Sequence, residues 1–286
     1  MQNAFKNGKG PASLRLYFTG LSLIAPARAE AQAARLFMTP RLRKAPSPTD
    51  LLHERSGSEP EMLDGPTGPI PLWVQGSGPT VLLVHGWQGS AADMVPLGLA
   101  LAGQGFRAAL ADMPGHGQSR GGKTSVVQYM KSIGIVTRHL GGIDGIVGHS
   151  LGGTAVTLAL AEKVVSAKSA VLISPASSPG AFEERFSRFI GLPDRRRPGM
   201  RRLLEQIVGR PIESLDAAVA AQGLDIPSVV LHDPDDREVP FSQAGEISRS
   251  WSGSRVIPMP DTGHRRILND PRVLGEVVDF FWKVEN

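Results

Sequence analysis

The chain has 286 residues, 41% of them hydrophobic and 20% charged, with a net charge of +4 and a pI near 9.6. That length supports one large core or two small ones. The absence of cysteine excludes disulfides, thiolate nucleophiles and cysteine metal sites; the mild basicity comes without a basic stripe, zinc spacing or nucleic-acid module, so nucleic acid is not an expected partner.

Residues 1–45 differ from the rest. Lys6, Lys9 and Arg15 precede the apolar stretch LYFTGLSLIAPA, and Ala27-Arg28-Ala29 loosely matches a small-residue cleavage site, the pattern of a secretory signal. Against that, Thr19, Gly20 and Ser22 interrupt the apolar run, and EAQAARLFMTPRLRK continues as an amphipathic helix ended by Pro40. No stretch approaches 18 uninterrupted apolar residues, so a spanning helix is not expected. The favoured reading is a cytoplasmic protein with a helical extension packed on its body; export or attachment to a membrane surface is the alternative. Residues 46–69, rich in Pro, Gly, Ser and acids, read as a linker or long loop.

From Ile70 a regular alternation begins. PTVLLVHG (79–86) predicts a short, wholly apolar strand, and SAADMVPLGLALAGQG (90–105) a helix closed by glycine. FRAALADMPG, GIDGIVGHS, SAVLISPA, IPSVVLHD and SRVIPMPD read as further strands, with helices over Val126 to Leu140, after Ser150, and around Val273 to Val284. Apolar strands alternating with helices predict an α/β fold, a mostly parallel sheet flanked by helices on both faces. Residues 70–178 and 227–286 form that core. Between them, residues 179–226 carry amphipathic stretches divided by Pro193, Pro198 and Pro211, which read as a small helical cap.

The residues capable of chemistry fall after strand ends, where such sheets place their sites. IVGHSLGGTA sets Ser150 between Gly148 and Gly152, which predicts a tight strand-to-helix turn that presents the hydroxyl. A serine hydroxyl is a poor nucleophile at neutral pH and needs a base and an orienting acid. The candidate base is His264 in DTGHRRIL; the acid comes from VVLHDPDDREVP, where Asp236 is preferred for its place furthest into the loop and Asp235 stays the runner-up. Asp233, Asp235 and Asp236 crowd one loop, and like charges buried together should raise at least one pKa. A metal cluster of His232 with these carboxylates is disfavoured, since no second histidine group stands at ligand spacing.

VHGWQGS, DMPGHGQS, GHSLGG and the late pair HDPDDREVP and TGH, in that order, resemble the α/β-hydrolase fold superfamily over about residues 70–286. The resemblance implies Ser150 as nucleophile, Asp236 as acid, His264 as base, and the amides of Trp87 and Leu151 as the oxyanion hole, with no cofactor or metal. Trp87 and His149 are candidates for lining the substrate pocket, although His149 should point away from the cleft. His85 and His116 read as loop-fixing residues. The run Arg195, Arg196, Arg197, Arg201 and Arg202 reads as a solvated helix face, with recognition of an acidic substrate or a membrane surface as the alternative.

The resulting expectation is a serine hydrolase acting on a small-molecule ester or related acyl bond. Acyl transfer or carbon–carbon bond hydrolysis on the same triad is the nearest alternative, and a ligand-binding protein that lost turnover is the non-enzyme one. Dehalogenases and epoxide hydrolases of the superfamily are disfavoured, because they carry aspartate where Ser150 stands.

Overall fold

The computed structural model of the protein describes residues 10–41, 50, 59–119 and 122–286. In chain order its longer elements are α1 (Ala12–Ile24), α2 (Pro26–Phe37), β1 (Glu61–Gly65), β2 (Gly68–Gln75), β3 (Thr80–Val84), α3 (Ala91–Ala102) and β4 (Arg107–Ala111). There follow α4 (Val126–His139), β5 (Gly145–His149), α5 (Leu151–Ala161), β6 (Ser169–Ile173), α6 (Pro179–Ile190) and α7 (Arg197–Val208). The last are α8 (Ala217–Ala220), β7 (Ser228–His232), α9 (Phe241–Ser250), β8 (Ser254–Pro258) and α10 (Pro271–Glu285). The chain divides into two compact units, one of residues 41–177 and 217–286 and one of residues 1–40 and 178–216.

The larger unit is built on one sheet of eight strands in the order β1-β2-β4-β3-β5-β6-β7-β8. All pairings from β4 to β8 are parallel; β2 runs antiparallel to β4 and β1 antiparallel to β2. The strands β3, β5, β6 and β7 are buried at every position, which is why they read as continuous apolar runs rather than as alternating ones. One face packs Val81, Leu83, Leu110, Val147, Val171, Val229 and Leu231 against Met94, Leu97 and Leu101 of α3 and Val273, Val277 and Phe281 of α10. Phe281 lies where a Cβ on Gly145 would have to sit, so glycine at the start of β5 lets α10 close on the sheet.

The strand β1 lies inside the stretch read from sequence as linker. Its residues pair with β2 across a turn at Pro66 and Thr67, with register from Glu61 opposite Leu72 to Gly65 opposite Gly68. Only Leu63 of β1 is buried, so composition alone could not distinguish this edge strand from a loop. Residues 46–49 and 51–58 of the same stretch lie outside the described residues, as do residues 42–45, Lys6 and Lys9.

The smaller unit joins the N-terminal helices to the insertion after β6. Its core consists of Phe18, Ala29, Ala33, Ala34 and Met38 from the N-terminal stretch, with Phe186, Phe189, Ile190, Met200 and Leu204 from α6 and α7. The alanines of α2 recur at helical spacing, which gives a low ridge for close packing. Phe37 extends this core, its ring centroid 5.7 Å from Phe182 and 5.2 Å from Phe186. A buried carboxylate also sits in this unit: Glu183 accepts from Arg201 Nη2 at 2.7 Å and from Ser187 Oγ at 3.2 Å. Arg197 lies 3.7 Å from Glu183, and Arg196 3.7 Å from Glu30. Three of the five arginines in the basic run therefore face acidic partners within their own unit, while Arg195 and Arg202 are exposed.

Truncating Leu83 to alanine leaves a void between β3 and its covering helices and is expected to cost about 2–5 kcal/mol. Met62→Ala in β1, where the side chain is 53% exposed, should change stability by about 0.5 kcal/mol or less. Equilibrium urea denaturation of the two variants checks both values.

Candidate active site

The turn from β5 into α5 places Ser150 at φ 53° and ψ −119°, a positive φ outside the region that L-residues ordinarily occupy. Such a conformation costs of the order of 1–3 kcal/mol and persists where the surroundings determine it completely. Here they do. The Ser150 amide donates to Ile173 O at 2.9 Å, fastening the turn to β6. A Cβ on Gly148 would come within 2.6 Å of the Gly152 carbonyl oxygen, and one on Gly152 would press into the carbonyls of Val84 and His85. A Cβ on Gly86 would lie 2.9 Å from the Ser150 Cβ and 3.0 Å from His149 Nδ1. The loop after β3 thus runs in contact with the turn because these positions are glycine.

His264 follows β8 and approaches from the far side. Its Nε2 lies 3.0 Å from Ser150 Oγ and its Nδ1 2.7 Å from Asp236 Oδ2. The other oxygen of Asp236 accepts from the amides of Glu238 at 2.7 Å and Val239 at 3.0 Å, so the carboxylate also shapes the loop that leads into α9. Burial by itself would raise the Asp236 pKa. Hydrogen bonds from His232 and His264, the nearby imidazole charge and the Val239 amide outweigh it and hold the carboxyl well below the usual carboxylate range.

The crowding of carboxylates expected from sequence does not arise. Asp235 is exposed, while Asp233 is buried and turned elsewhere, accepting from the Asp235 amide at 2.9 Å and from the Gly263 amide. Asp233 therefore ties the loop after β7 to the loop that carries His264. His232, which sequence reading had weighed only as a metal ligand, is fully buried with its Nε2 3.3 Å from Asp236 Oδ2 and 3.1 Å from Val239 O. Its place one pleat before the loop is the signal that could have marked it as a buttress.

His149 is buried and directs Nε2 to the His264 carbonyl at 2.8 Å, with the two ring centroids 5.0 Å apart. It also lines, with Trp87, Asp93, Arg265, Arg266 and Leu268, an open cavity of about 180 Å³ beside the turn. The amides of Trp87 and Leu151 donate to no other segment among the described residues.

The loop that carries Trp87 rests on buried imidazoles. His85 Nδ1 donates to Gly86 O at 2.9 Å and its Nε2 accepts from the Met113 amide at 3.0 Å. His116 Nδ1 donates to Pro114 O at 3.0 Å and its Nε2 accepts from the Gln88 amide at 3.0 Å. Both rings must be neutral to accept these bonds. Burial pushes His85 down to about 4; burial and the neighbouring His85 push His116 down to about 3. Tyr129, buried beneath them, brings its hydroxyl to 3.2 Å from His116 Nδ1. Asp112 accepts from the Ala91 amide at 2.7 Å and the Gln118 amide at 2.6 Å, and burial pushes it up to about 6. The sequence marks the two histidines as loop-fixing and Asp112 only as part of the strand-end motif DMPGHGQS, and it gives no signal for Tyr129, because the partners of Asp112 and Tyr129 lie on other segments.

A family profile described as alpha/beta hydrolase fold matches residues 79–261 of the chain. No curated protein sequence matches it. Among solved structures, a thermophilic esterase from Thermogutta terrifontis aligns at 20% identity over 79% of this chain and 100% of its own, with a TM-score of 0.62. Est1E from Butyrivibrio proteoclasticus, with ferulic acid bound, aligns at 18% identity over 79% and 99%, with a TM-score of 0.64. A meta-cleavage product hydrolase from Pseudomonas fluorescens aligns at 15% identity over 80% and 99%, with a TM-score of 0.61. At these identities the structures speak for a shared fold.

The buried histidines make stability depend on pH. In the unfolded chain they take up protons as pH falls through about 6.5, whereas in the fold His85 and His116 resist until about 4 and about 3, and His149 is likewise held well down by burial. The unfolded state therefore binds more protons in this window, and stability falls with falling pH. Asp112, raised to about 6, works in the opposite direction between about 4 and 6, one group against three. The thermal midpoint is expected to drop steadily from pH 6.5 to pH 4, and His85→Gln should flatten that slope; calorimetry across the range measures both.

Proposed function

The chain belongs to the α/β-hydrolase fold family, whose profile covers residues 79–261, and from that membership we propose that it is a serine hydrolase cleaving a carboxylic ester or related acyl bond through an acyl-enzyme. The observation that carries the proposal is the continuous relay from Ser150 Oγ through His264 to Asp236, with contacts of 3.0 and 2.7 Å.

In this reading His264 Nε2 takes the Ser150 proton as Oγ attacks the substrate carbonyl carbon. The carbonyl π electrons move onto oxygen, and the amides of Trp87 and Leu151 donate to the oxyanion. Each such donor stabilises the transition state by roughly 3–4 kcal/mol, because it is fixed before charge develops. Leu151 adds the first turn of α5, whose positive end points at the same oxygen. Collapse of the tetrahedral adduct breaks the bond to the alkoxide, which leaves with the proton from His264. Water then repeats the sequence: His264 takes its proton, hydroxide oxygen joins the acyl carbon, and Oγ departs with that proton. Asp236 stays ionised throughout, accepts from His264 Nδ1–H and so fixes the tautomer that leaves Nε2 free to act.

Trp87 and His149 are assigned to the small-molecule pocket because they flank Gly86 and Ser150, the neighbours of the nucleophile turn; the cavity they border is lined by Arg265, Arg266 and Leu268 rather than by Ser150 itself. The enzyme is proposed to act in the cytoplasm, with α1 and α2 packed into the helical unit.

Ser150→Ala is expected to abolish labelling by a fluorophosphonate and to lower kcat on a chromogenic short-chain ester by about 10⁶; persistent labelling would remove this serine from the mechanism. Asp236→Asn should lower kcat by about 10⁴ with little change in KM, while Asp235→Asn should stay within a few-fold of the parent. Intact-mass spectrometry after mixing with an activated ester should show the acyl adduct on the parent chain.

A further inference from the structure

Helix α1 turns an uncharged apolar arc to solvent. Leu16 is 73% exposed, Tyr17 48%, Leu23 68% and Ile24 83%. Leu16 and Leu23, and likewise Tyr17 and Ile24, stand seven residues apart, so these side chains lie along one side of the helix with exposed Gly20 between them. The opposite side is the packed one: Phe18 and Ser22 are buried, and Leu14 and Leu21 join the helical unit's core. Arg15, the sole charged residue of α1, is seven residues from Ser22 and falls on that packed side. Four of the eight large hydrophobic side chains exposed among the described residues thus gather on this helix. An ordinary surface helix places charges where α1 places leucine and isoleucine, and a gathered apolar face marks an interaction surface.

The charge around this face selects its partner. Residues 1–45 carry eight lysines and arginines and a single acid, Glu30, a net +7 against +4 for the whole chain. The remaining residues are therefore net negative. Glu30 faces Arg196 at 3.7 Å, whereas Arg28, Arg35 and Arg41 are exposed. A second copy of the chain would bring an equally basic segment against this one. An anionic lipid surface complements both features, because apolar side chains enter the headgroup and acyl boundary while basic residues meet lipid phosphates.

We propose that α1 docks the protein on an anionic lipid bilayer, lying in the plane of the interface with Leu16, Tyr17, Leu23 and Ile24 immersed. No helix among the described residues is long and apolar enough to cross a membrane, and neither half of the signal suffices alone: the apolar arc is short, and charge by itself is screened by salt. Attachment is therefore reversible and requires negatively charged lipid. The inference is independent of the chemistry at Ser150.

Vesicle flotation of the full chain tests it. Phosphatidylcholine vesicles containing phosphatidylglycerol are expected to carry the protein at least about tenfold more than pure phosphatidylcholine vesicles, an advantage that shrinks as salt is raised. The double substitution Leu23→Glu with Ile24→Glu should lower that binding at least about tenfold, and Leu16→Ser should weaken it less. Because all three positions are exposed, the thermal midpoints should match the parent. No flotation with anionic vesicles, or flotation that survives the paired glutamates in a folded variant, overturns the proposal. So does a dimer in analytical ultracentrifugation that the same glutamates abolish, since it would show that a second copy covers the face.

Discussion

The geometry at Ser150 depends on how closely three pieces of backbone approach one another. The end of β5, the first turn of α5 and the loop after β3 meet with Gly148, Gly152 and Gly86 at the contacts, and at each a Cβ would collide with a neighbour. Close approach is what forces the positive φ at Ser150 and raises its side chain out of the turn. Strain at one residue is tolerated because packing around the buried parallel strands β3, β5, β6 and β7 supplies far more than the few kcal/mol it costs.

Around this turn, the loops at the strand ends are held by buried polar side chains bonded to backbone amides. His85 receives Met113, His116 receives Gln88, Asp112 receives Ala91 and Gln118, and Asp233 receives Gly263. Each amide would otherwise be an unsatisfied donor in the interior, so the side chain and the loop conformation stabilise each other. The same arrangement explains the protonation states: an imidazole that accepts from an amide in a dry interior must stay neutral, and a carboxylate that accepts from amides and imidazoles, as Asp236 does, stays charged despite burial.

The helical unit follows a different economy. It buries an ionised group, Glu183, against Arg201 and Arg197, while α1 leaves leucines and an isoleucine in water. A buried ion pair adds little to stability compared with apolar packing, and exposed leucines add nothing. That inversion of the usual inside and outside is what sets α1 apart as a surface shaped by something other than folding.

Much of the larger unit was legible in the linear chain. The strands VLLV, IVGH and VVLH are apolar up to their last residues because helices cover both faces, and that pattern is visible without coordinates. The turn glycines and the order of serine, acid and histidine were equally legible, since they reflect local backbone demands and loop position. Other features depended on pairing between distant segments. The edge strand β1 has one buried residue and gains its identity from β2. The choice among Asp233, Asp235 and Asp236 turned on side-chain direction, which three acids within four residues do not encode. The joining of residues 10–40 with 178–216 depended on packing across a long stretch of intervening chain. Sequence by itself determined which segments are strands, which turn is strained and which residue types stand at the strand ends, because periodicity and glycine placement are local. Tertiary structure decided between the preferred Asp236 and its runner-up Asp235, and it alone decided which apolar faces stay uncovered, because both are set by distances between residues far apart in the chain.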